Sequence, residues 1–531
     1  MSSLFFVMIG MSLIPQAGIE DDEALFGSAI YHPEETAHSV KLFSHRIPLM
    51  QMSYLGSLKS WIYVPIFRRW KPSAASIRFP ALVLGSVTIW LFWLLLRRIA
   101  GYRGATIGSI LLATDTSFLM TTCFDWGPVV LQHLLLVSGV LCLLRFHQDR
   151  QRRFLAAGFF FFGLGLWDKA LFAWILSGMA VATVVVFPKE LWSSCRPRNL
   201  AVAVLAFCIG ATPLIRYNVR EKLATFRSNA HLDNRELPGK VQQVFSALSG
   251  QALFGYIARN DPDGGNPRSP QTALERISVR ISEIAGSPRN GFLGCGLLLA
   301  LLLFPWLWFT PARRPISFAL IAVTVGWLQM LFGKGTGGSL HHVILLWPFP
   351  TLIIAVAFAE APRRLGPAGK PLIAVVVLFL ATSSALVTNE YLARLVRNGP
   401  GVVWTDAVYS LSDHLRRVKP PVIYIDDWGI NDTLNLLSRG TLQLRDGTSP
   451  LTNPQLSEED RQVVLDRLAE PESIHVGRPD QLEMFKGVKS KLLALAAEAG
   501  YRRELLAEIP DRNGRAMFEV FRFRPIKSKS I

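Results

Sequence analysis

Long apolar segments separated by short polar connections constrain this chain more than any other feature of its sequence. Half of its 531 residues are hydrophobic, and its mean hydropathy is positive. An α-helix crosses a bilayer with about 20 consecutive apolar residues. The pattern predicts an α-helical polytopic membrane protein with about eleven transmembrane helices, at residues 3–15, 76–96, 104–123, 128–144, 154–166, 170–187, 199–215, 291–309, 316–332, 340–358 and 371–388.

The first of these segments, residues 3–15, is the weakest candidate for a span. It is shorter than a bilayer requires, and no basic residue flanks it. A cleaved signal peptide is the competing interpretation. Such a peptide carries a basic start and a small-residue cleavage site, and the sequence has neither in convincing form. We therefore expect a thin or incomplete first span.

The basic residues predict the orientation of the chain. Its formal charge is +17, and its Arg and Lys residues cluster in every second connection between apolar segments. Such connections face the cytoplasm, so nucleic acid is not needed to explain the charge and is excluded as a partner. We expect a multi-pass protein of the cell (inner) membrane with a cytoplasmic N terminus. The basic clusters lie at 97–103, 145–153, 189–198, 313–314 and 363–370.

The chain divides into a membrane domain, residues 1–388, and a soluble extracytoplasmic α/β domain, residues 389–531. The membrane domain has a long first external loop, 17–75, and a second, 216–290. In the tail, strand-like and helix-like patterns alternate, which favours layered α/β structure, and the last pattern is typical of an edge strand. These patterns occupy residues 421–428, 457–470, 473–479, 489–500 and 516–524.

Two pairs of acids outside the membrane have competing interpretations. Asp426 and Asp427 follow the first apolar run of the tail, where a doubly wound sheet places its ligand, but support of the fold explains them more simply. Asp261 and Asp263 lie in a turn-rich part of the second loop, where they would bind a cation or form a solvated turn. We expect the turn.

Four consecutive acids, Glu20 to Glu23, follow the first apolar segment directly. One interpretation is a solvated helix start, since carboxylates favour helix N termini. Other ionisable residues stand at the same predicted face, and residues of both signs at span ends are costly unless they are paired or functional. An anionic substrate would use the cations for its phosphate and a carboxylate as base. These residues are Asp125, Lys169, Arg216, His341 and His342.

Each of these residues also has an ordinary interpretation that stays open. Lys169 could extend its amine to the membrane interface, and Asp125 could only shape a short turn. His341 and His342 could simply face interfacial water. Adjacent histidines point in different directions on a helix, which argues against one metal bound by both.

The acidic stretch carries a resemblance. Asp22 to Gly27 is similar to the Asp-Glu-x-x-Phe-Gly signature in the first external loop of protein O-mannosyltransferases. The wider layout resembles the polytopic C-type-fold glycosyltransferases that use polyprenyl-phosphate sugars, including the aminoarabinose transferase of lipid A. Further matching features are Arg78-Phe79-Pro80, Asp125, Lys169, the segment 213–218, and the His-rich segment that ends in Pro348 and Pro350.

The resemblance covers roughly residues 1–388, and one part of the pattern differs. Many relatives carry His-Pro-Pro later in the first loop, whereas this chain has Ile47, Pro48 and Leu49 there. Because that loop borders the acceptor site in the family, the class of acceptor stays open: glycan, lipid or protein.

The resemblance implies a mechanism and a role for each acid. Asp22 would be the base that deprotonates an acceptor hydroxyl, and transfer would invert the anomeric centre. Asp21 would be the alternate base, and Asp21 or Glu23 would orient the acceptor. A divalent cation bound by Asp22 and Glu23 is also considered, although no cluster has diagnostic ligand spacing. Glu20 is expected to stay solvated at the boundary.

The other site residues are expected to serve the donor and the acceptor. Lys169, Arg216, His341 and His342 would hold the lipid phosphate as it leaves. Asp125 would be an acceptor-site or second-loop acid. The partners implied are a polyprenyl-phosphate sugar, an acceptor and membrane lipid.

Two functions from other classes compete with glycosyl transfer. A transporter or lipid flippase also has ionisable residues within the membrane, but it predicts inverted repeats with broken spans, and none is evident in the sequence. A non-catalytic scaffold protein would not need the acids.

Overall fold

The computed structural model describes residues 1–43, 45–229, 231–233, 235–262 and 264–526, without the side chain of His45. Asp263 lies outside the described residues. The helices up to residue 397 are α1 (Ser2–Leu13), α2 (Asp21–Ser28), α3 (Leu58–Arg69), α4 (Ala74–Thr114), α5 (Thr116–Cys123), α6 (Val129–Asp149), α7 (Arg152–Asp168), α8 (Phe172–Val186), α9 (Pro188–Ser194), α10 (Pro197–Arg220), α11 (Ala224–Asn229), α12 (Leu237–Ser249), α13 (Ala273–Ile284), α14 (Leu293–Leu303), α15 (Arg313–Phe332), α16 (Leu340–Val343), α17 (Phe349–Glu360), α18 (Pro362–Leu365) and α19 (Gly369–Arg397).

The predicted helical membrane fold is confirmed, and each predicted apolar segment coincides with helix. By length and composition, five helices among the described residues can cross a membrane, or up to eight if each bent helix pair is one span. Helix α7 has 17 residues and α14 has 11, so both are shorter than an 18-residue span. The predicted number of about eleven stays a prediction.

Helix α4 shows why two predicted segments form one long element. It continues for 41 residues, but Gly101 breaks the helical geometry with φ = +69°. Only glycine adopts this left-handed backbone without a steric cost. The two halves of α4 correspond to the predicted segments 76–96 and 104–123, the second of which ends in α5.

The first loop folds back over the ends of the spans. Helix α2 turns by 94° from α1, so the acids leave the direction of the first span. A three-stranded antiparallel sheet follows, in the order β1 (His38–Leu42), β2 (His45–Met52), β3 (Leu55–Gly56). Gly56 has no room for a side chain, because a Cβ there would lie 2.1 Å from the Trp167 carbonyl oxygen. The sheet is therefore fixed against the outer end of α7.

The C-terminal domain is a mixed five-stranded sheet with the order β5-β4-β6-β8-β7. Strands β4, β5 and β6 are parallel, while β8 pairs antiparallel with both β6 and β7. The predicted α/β domain is present, and the predicted boundary at 388/389 falls inside α19. The elements are α20 (Ala407–Val418), β4 (Ile423–Ile425), α21 (Asn431–Ser438), β5 (Leu444–Asp446), α22 (Glu458–Ala469), β6 (Ile474–Gly477), α23 (Val488–Glu498), β7 (Tyr501–Pro510) and β8 (Ala516–Pro525).

One strand prediction was wrong in its position. The segment 516–524 was expected at an edge of the sheet, but β8 lies between β6 and β7. The preceding strand β7 folds back over a turn at Asp511 to Arg515 and covers the edge of β8. Polar side chains on β8 are accommodated by ion pairs, such as Glu519 with Lys489 at 2.6 Å and with Arg503 at 2.7 Å.

The C-terminal domain packs directly on the first loop. Leu436 of α21 belongs to one hydrophobic cluster with Phe26 of α2 and Tyr63 of α3. Gly27 of α2 faces the same leucine, and a Cβ there would lie 2.7 Å from a Leu436 methyl carbon. The acidic helix is therefore enclosed between the membrane helices and the C-terminal domain.

Candidate active site

Glu23 forms an internal ion pair. Arg78 donates from Nε to Glu23 Oε1 at 2.7 Å and from an Nη to Oε2 at 2.8 Å, and both side chains are fully buried. The same guanidinium donates to the carbonyl oxygens of Ile14, Ala17 and Gly18. Both carboxylate oxygens of Glu23 are thus occupied. The ion pair with Arg78 argues against Glu23 as an acceptor-orienting residue or as a cation ligand with Asp22, and both roles stay predictions.

Glu20 caps the start of α2. Its carboxylate accepts from the backbone N–H groups of Asp22 and Glu23, while Glu23 accepts from the N–H of Glu20, which completes a capping box. Its side chain is fully buried. The expectation that Glu20 is a solvated boundary residue was therefore wrong, because the C-terminal domain and second loop exclude water from the first turn.

Asp21 faces the C-terminal domain. Its Oδ1 accepts from the backbone N–H of Asp432, in the first turn of α21, at 3.0 Å. A carboxylate at this position is favoured by the unpaired N–H groups and the dipole of the helix. Asp21 therefore joins the first loop to the C-terminal domain, and its assignment as alternate base stays a prediction.

Asp22 is the acid whose carboxylate is not committed to the fold. Its side chain is half-buried, and the one side-chain hydrogen bond it receives among the described residues comes from Trp126 Nε1 at 3.3 Å. Burial raises the pKa of Asp22, against the lowering effects of Trp126, Lys169 and Lys59. A raised pKa makes a carboxylate a stronger base near neutral pH.

Lys169 is the cation beside this carboxylate. Its side chain is only 3 % exposed, and its ammonium has no hydrogen-bond or ion-pair partner within the part of the chain that the structure describes. Its backbone bridges to Leu55, and the next N–H donates to the carbonyl of Tyr54 at 2.9 Å. Burial lowers the pKa of Lys169 to about 8, although Asp22 and Asp168 oppose this.

His341 and His342 approach the same site from the start of α16. The ring of His341 contacts the indole of Trp126 with centroids 4.8 Å apart and the ring of His342 at 4.1 Å. Both histidines interact electrostatically with Lys169. Nδ1 of His342 is buried without a hydrogen-bond partner in the described structure. The structure thus brings Asp22, Lys169 and both histidines together.

Asp125 lies in the turn between α5 and α6, next to Trp126. Its carboxylate pairs with Lys59 Nζ at 2.8 Å and accepts from the Tyr63 hydroxyl, and it has no exposed surface. Burial raises the pKa of Asp125 to about 6, and Lys59 opposes the shift. Lys59 and Tyr63 thus hold Asp125 and the turn that carries Trp126, and the assignment of Asp125 as an acceptor-site or second-loop acid stays a prediction.

Arg216 makes no described contact with Asp22, Lys169 or the two histidines. It lies exposed on α10, and its described electrostatic partner is His38 of β1. Leu214 and Tyr217, near Arg216 on α10, belong to one hydrophobic cluster with Trp167 at the end of α7, so Arg216 lies on the exposed side of this packed end. The prediction that Arg216 holds the phosphate together with Lys169 stays a prediction.

The remaining acids singled out in the sequence support the fold. Asp427 accepts from Arg478 at 2.8 Å and from two backbone N–H groups, and Asp426 faces His475 at 3.0 Å. Both are buried, so the ordinary interpretation of this pair holds. Asp261 is exposed in its turn. Among the described residues, no three His, Cys, Asp or Glu side chains form a group that could hold a metal ion.

Comparison with known proteins agrees with this architecture. Residues 58–215 match the family model of dolichyl-phosphate-mannose-protein mannosyltransferase. No curated protein sequence matches the chain. The solved structure of ArnT from Cupriavidus metallidurans in the apo state superposes with a TM-score of 0.57 at 15% identity, over 98% of this chain and 97% of that one. This chain has the C-type glycosyltransferase fold.

Two more solved structures have this C-type fold. ArnT from Cupriavidus metallidurans bound to undecaprenyl phosphate gives a TM-score of 0.55 at 16% identity, covering 98% of this chain and 96% of that one. The Archaeoglobus fulgidus oligosaccharyltransferase AglB, in complex with an inhibitory peptide and a dolichol-phosphate, gives 0.52 at 12% identity, covering 100% and 74%. The resemblance predicted from the sequence is confirmed.

Within the C-type fold, the sequence pattern did not indicate several residues around Asp22. Tyr256 of the second loop stacks on Trp126 with centroids 5.1 Å apart and interacts electrostatically with Asp22. Tyr54 also lies close enough to interact with Asp22. Neither residue lies near Asp22 in the sequence. Lys59 was recognisable from the sequence, because a lysine in an otherwise apolar stretch is usually paired with an acid.

Trp126 provides a first test of this geometry. In Trp126→Phe, the ring still packs on Tyr256 and His341, but the N–H donor to Asp22 is lost. A net loss of about 1 kcal/mol for such a hydrogen bond corresponds to about fivefold lower kcat. Because the indole N–H lowers the pKa of Asp22, its removal raises that pKa. The acid limb of the pH–rate profile should therefore move to higher pH.

The matched control is Trp192→Phe, which changes an 85% exposed tryptophan. It should leave both kcat and the acid limb unchanged. An acid limb that stays in place in Trp126→Phe would contradict a hydrogen bond from Trp126 that sets the pKa of Asp22.

Proposed function

We propose that this protein transfers a hexosyl or pentosyl group from a polyprenyl-phosphate-linked sugar to an acceptor hydroxyl at the extracytoplasmic face of the membrane. The observation that carries the proposal is a buried ammonium without a described partner, Lys169, which interacts electrostatically with the half-buried carboxylate of Asp22. A buried cation without a partner is costly. Its cost is offset when an anionic substrate, such as a lipid phosphate, binds beside it.

Asp22 serves as the base in this proposal. The acceptor hydroxyl gives its proton to the Asp22 carboxylate while its oxygen forms a bond to the anomeric carbon. The bond from that carbon to the phosphate oxygen breaks, and the lipid phosphate leaves with the electron pair. Attack opposite to the leaving group inverts the anomeric centre. Lys169 stabilises the charge that develops on the phosphate.

An apolar groove between α8 and α15 is the proposed site of the donor's lipid tail. It is lined by Trp174, Val325, Leu328 and Phe332, and it begins on α8 about one turn after Lys169. Undecaprenyl phosphate and dolichol-phosphate, bound in two of the similar structures, both consist of a long isoprenoid tail on a phosphate. We propose that a lipid of this class carries the sugar that the present protein transfers.

The proposal includes the orientation of the protein. The clustered basic residues between spans favour an orientation in the cell membrane with the site and the C-terminal domain outside the cytoplasm. Asp21 then holds the C-terminal domain over the acidic helix, where the domain limits access to Asp22. The acceptor is a glycan, lipid or protein that reaches Asp22 between this domain and the second loop.

Membranes enriched in the protein test the function directly. With a polyprenyl-phosphate sugar labelled in the sugar, label should move to an acceptor while one lipid phosphate is released for each sugar transferred. A transporter or lipid flippase would instead move the labelled donor across vesicles without cleaving it. Translocation of an intact donor without release of lipid phosphate would contradict the proposal.

Lys169 predicts the alkaline limit of activity. The positive charge of Lys169 is present below its pKa of about 8 and is lost as the pH rises through that value. We therefore expect the KM for the donor to rise above about pH 8. In Lys169→Arg, the guanidinium stays protonated, so the alkaline rise in KM should move to higher pH even if the overall affinity is lower.

The measurement is the pH dependence of the donor KM between pH 6 and 10, using purified protein in detergent. Lys334→Arg, at an exposed turn without a described side-chain bond to the site, is the control and should keep the wild-type profile. An unchanged alkaline limb in Lys169→Arg would contradict phosphate binding by Lys169.

A further inference from the structure

Helix α13 in the second loop has its polar side buried and its apolar side exposed. Ser278 and Ser282 pack against α19, where Asn389 Nδ2 donates to the Ser278 carbonyl at 2.9 Å and Ser282 donates to Glu390. The outward face consists of apolar side chains that are 38–74% exposed: Leu274, Ile277, Ile281 and Ile284. Such a stripe is costly in water and favourable in lipid. Helix α13 therefore lies in the membrane interface.

A groove runs beside this helix between α1 and α19. Its apolar part follows α1 from Phe5 to Ser12, a distance of about 10 Å along the helix axis. Ile277 and Ile281 of α13 form its outer wall. Ser12, Leu274 and Leu392 also line a second, more polar cavity, so the two are continuous. The groove has an apolar interior and a polar mouth, as a lipid chain and its headgroup require.

The mouth of the groove has an excess of positive charge. Its charged groups are Arg268, Arg512 and Glu275, with Arg276 exposed on the adjacent turn of α13 and Asp406 facing Arg512 at 3.3 Å. The carboxylate of Glu275 is already used by the N–H groups of Gln271 and Thr272 and by the Gln16 amide.

Arg268 is the cation at the mouth that is available to a ligand. Arg512 is held by the carbonyl oxygens of Gln16 and Leu395 and by Asp406. The guanidinium of Arg268, in contrast, makes no hydrogen bond or ion pair with the residues that the structure describes. It is half-buried, so a phosphate at the mouth would pair with it at a partly desolvated position.

We propose that this groove binds an anionic glycerophospholipid, with an acyl chain between α1, α13 and α19 and the phosphate at Arg268. The excess of arginines over free carboxylates at the mouth favours an anionic headgroup over a zwitterionic one. The groove includes neither Lys169 nor the two histidines, and it is separate from the groove between α8 and α15. The site is thus distinct from the proposed donor site, and the inference does not rest on the proposed function.

Native mass spectrometry of the purified, delipidated protein tests the site without any activity assay. Phosphatidylglycerol should bind about tenfold more tightly than phosphatidylcholine: both lipids present a phosphate to Arg268, but the arginines at the mouth repel the choline cation. Arg268→Ala should abolish this preference. Ile277→Trp narrows the groove and should weaken the binding of both lipids. Elution of this variant as a single species would show that its fold is kept.

The matched control is Arg280→Ala on the same helix. Arg280 is exposed, pairs with Glu283 at 3.3 Å and does not line the groove, so its replacement should leave the preference unchanged. Equal binding of both lipids to the wild type, or an equal effect of Arg280→Ala and Arg268→Ala, would overturn the proposal. It would also be overturned if undecaprenyl phosphate displaced phosphatidylglycerol and bound in an Arg268-dependent way, since the groove would then belong to the carrier lipid.

Discussion

Replacing Asp22 with Asn is expected to lower glycosyl transfer by about 10²- to 10⁴-fold, the range typical for loss of a general base. The amide is nearly isosteric with the carboxylate and still accepts the hydrogen bond from Trp126, but it cannot take a proton from the acceptor. Since Asp22 makes no contact that holds α2 in place, the protein should remain folded in the membrane. The measurement is kcat with a labelled polyprenyl-phosphate sugar, together with the melting temperature in detergent.

Asp21→Asn is the matched control for this prediction. Its side chain lies one position away and contacts the first turn of α21, so the loss of its charge weakens a helix cap by about 1 kcal/mol. We expect a lower melting temperature but retained transfer. If Asp22→Asn kept turnover while Asp21→Asn lost it, the base would have to be reassigned to Asp21.

The largest effect on stability is expected from Arg78. Its replacement by Met leaves Glu23 buried without a cation and leaves the carbonyl oxygens of three residues without a donor. Breaking a buried ion pair by removing one partner costs about 3–5 kcal/mol. This is a large fraction of the stability of most domains, so little folded Arg78→Met protein should be recovered.

A second substitution separates the ion pair from simple loss of packing. In Arg78→Met combined with Glu23→Leu, no uncompensated carboxylate remains, and folded protein should be partly recovered relative to Arg78→Met alone. Arg98→Met is the surface control, because Arg98 lies exposed on the same helix shortly before the break at Gly101, and its one described side-chain bond is to Gln148. Its melting temperature should match the wild type. If Arg78→Met melted like Arg98→Met, the ion pair would not stabilise the loop.

Structural contacts account for three of the four acids in the acidic stretch. One acid caps α2, one binds Arg78 and one binds the start of α21, so three of the four carboxylates are consumed by structure. Each of these contacts fixes the direction of the short helix. Asp22 is thereby held at the point where Trp126, Lys169 and the histidines converge.

The sequence by itself determined the helical membrane architecture and the fold. Apolar length and the spacing of basic clusters are local properties, and they are sufficient because a bilayer requires helices of a defined length. The order of short motifs along the chain was enough to indicate the C-type fold, although the motifs are weak individually. The capping box that begins α22 at Ser457 is a local feature of the same kind, since its partners lie three residues apart.

Only the tertiary structure decided which acid is free to act. Glu20 is held by a capping box within its own helix, but Asp21, Asp22 and Glu23 are adjacent and chemically alike, so no local pattern distinguishes these three. Their partners come from α4, α21 and the turn before α6, which are separated from them by tens to hundreds of residues. A carboxylate is consumed or left available according to which donors meet it in space. That physical difference separates Asp22 from its three neighbours.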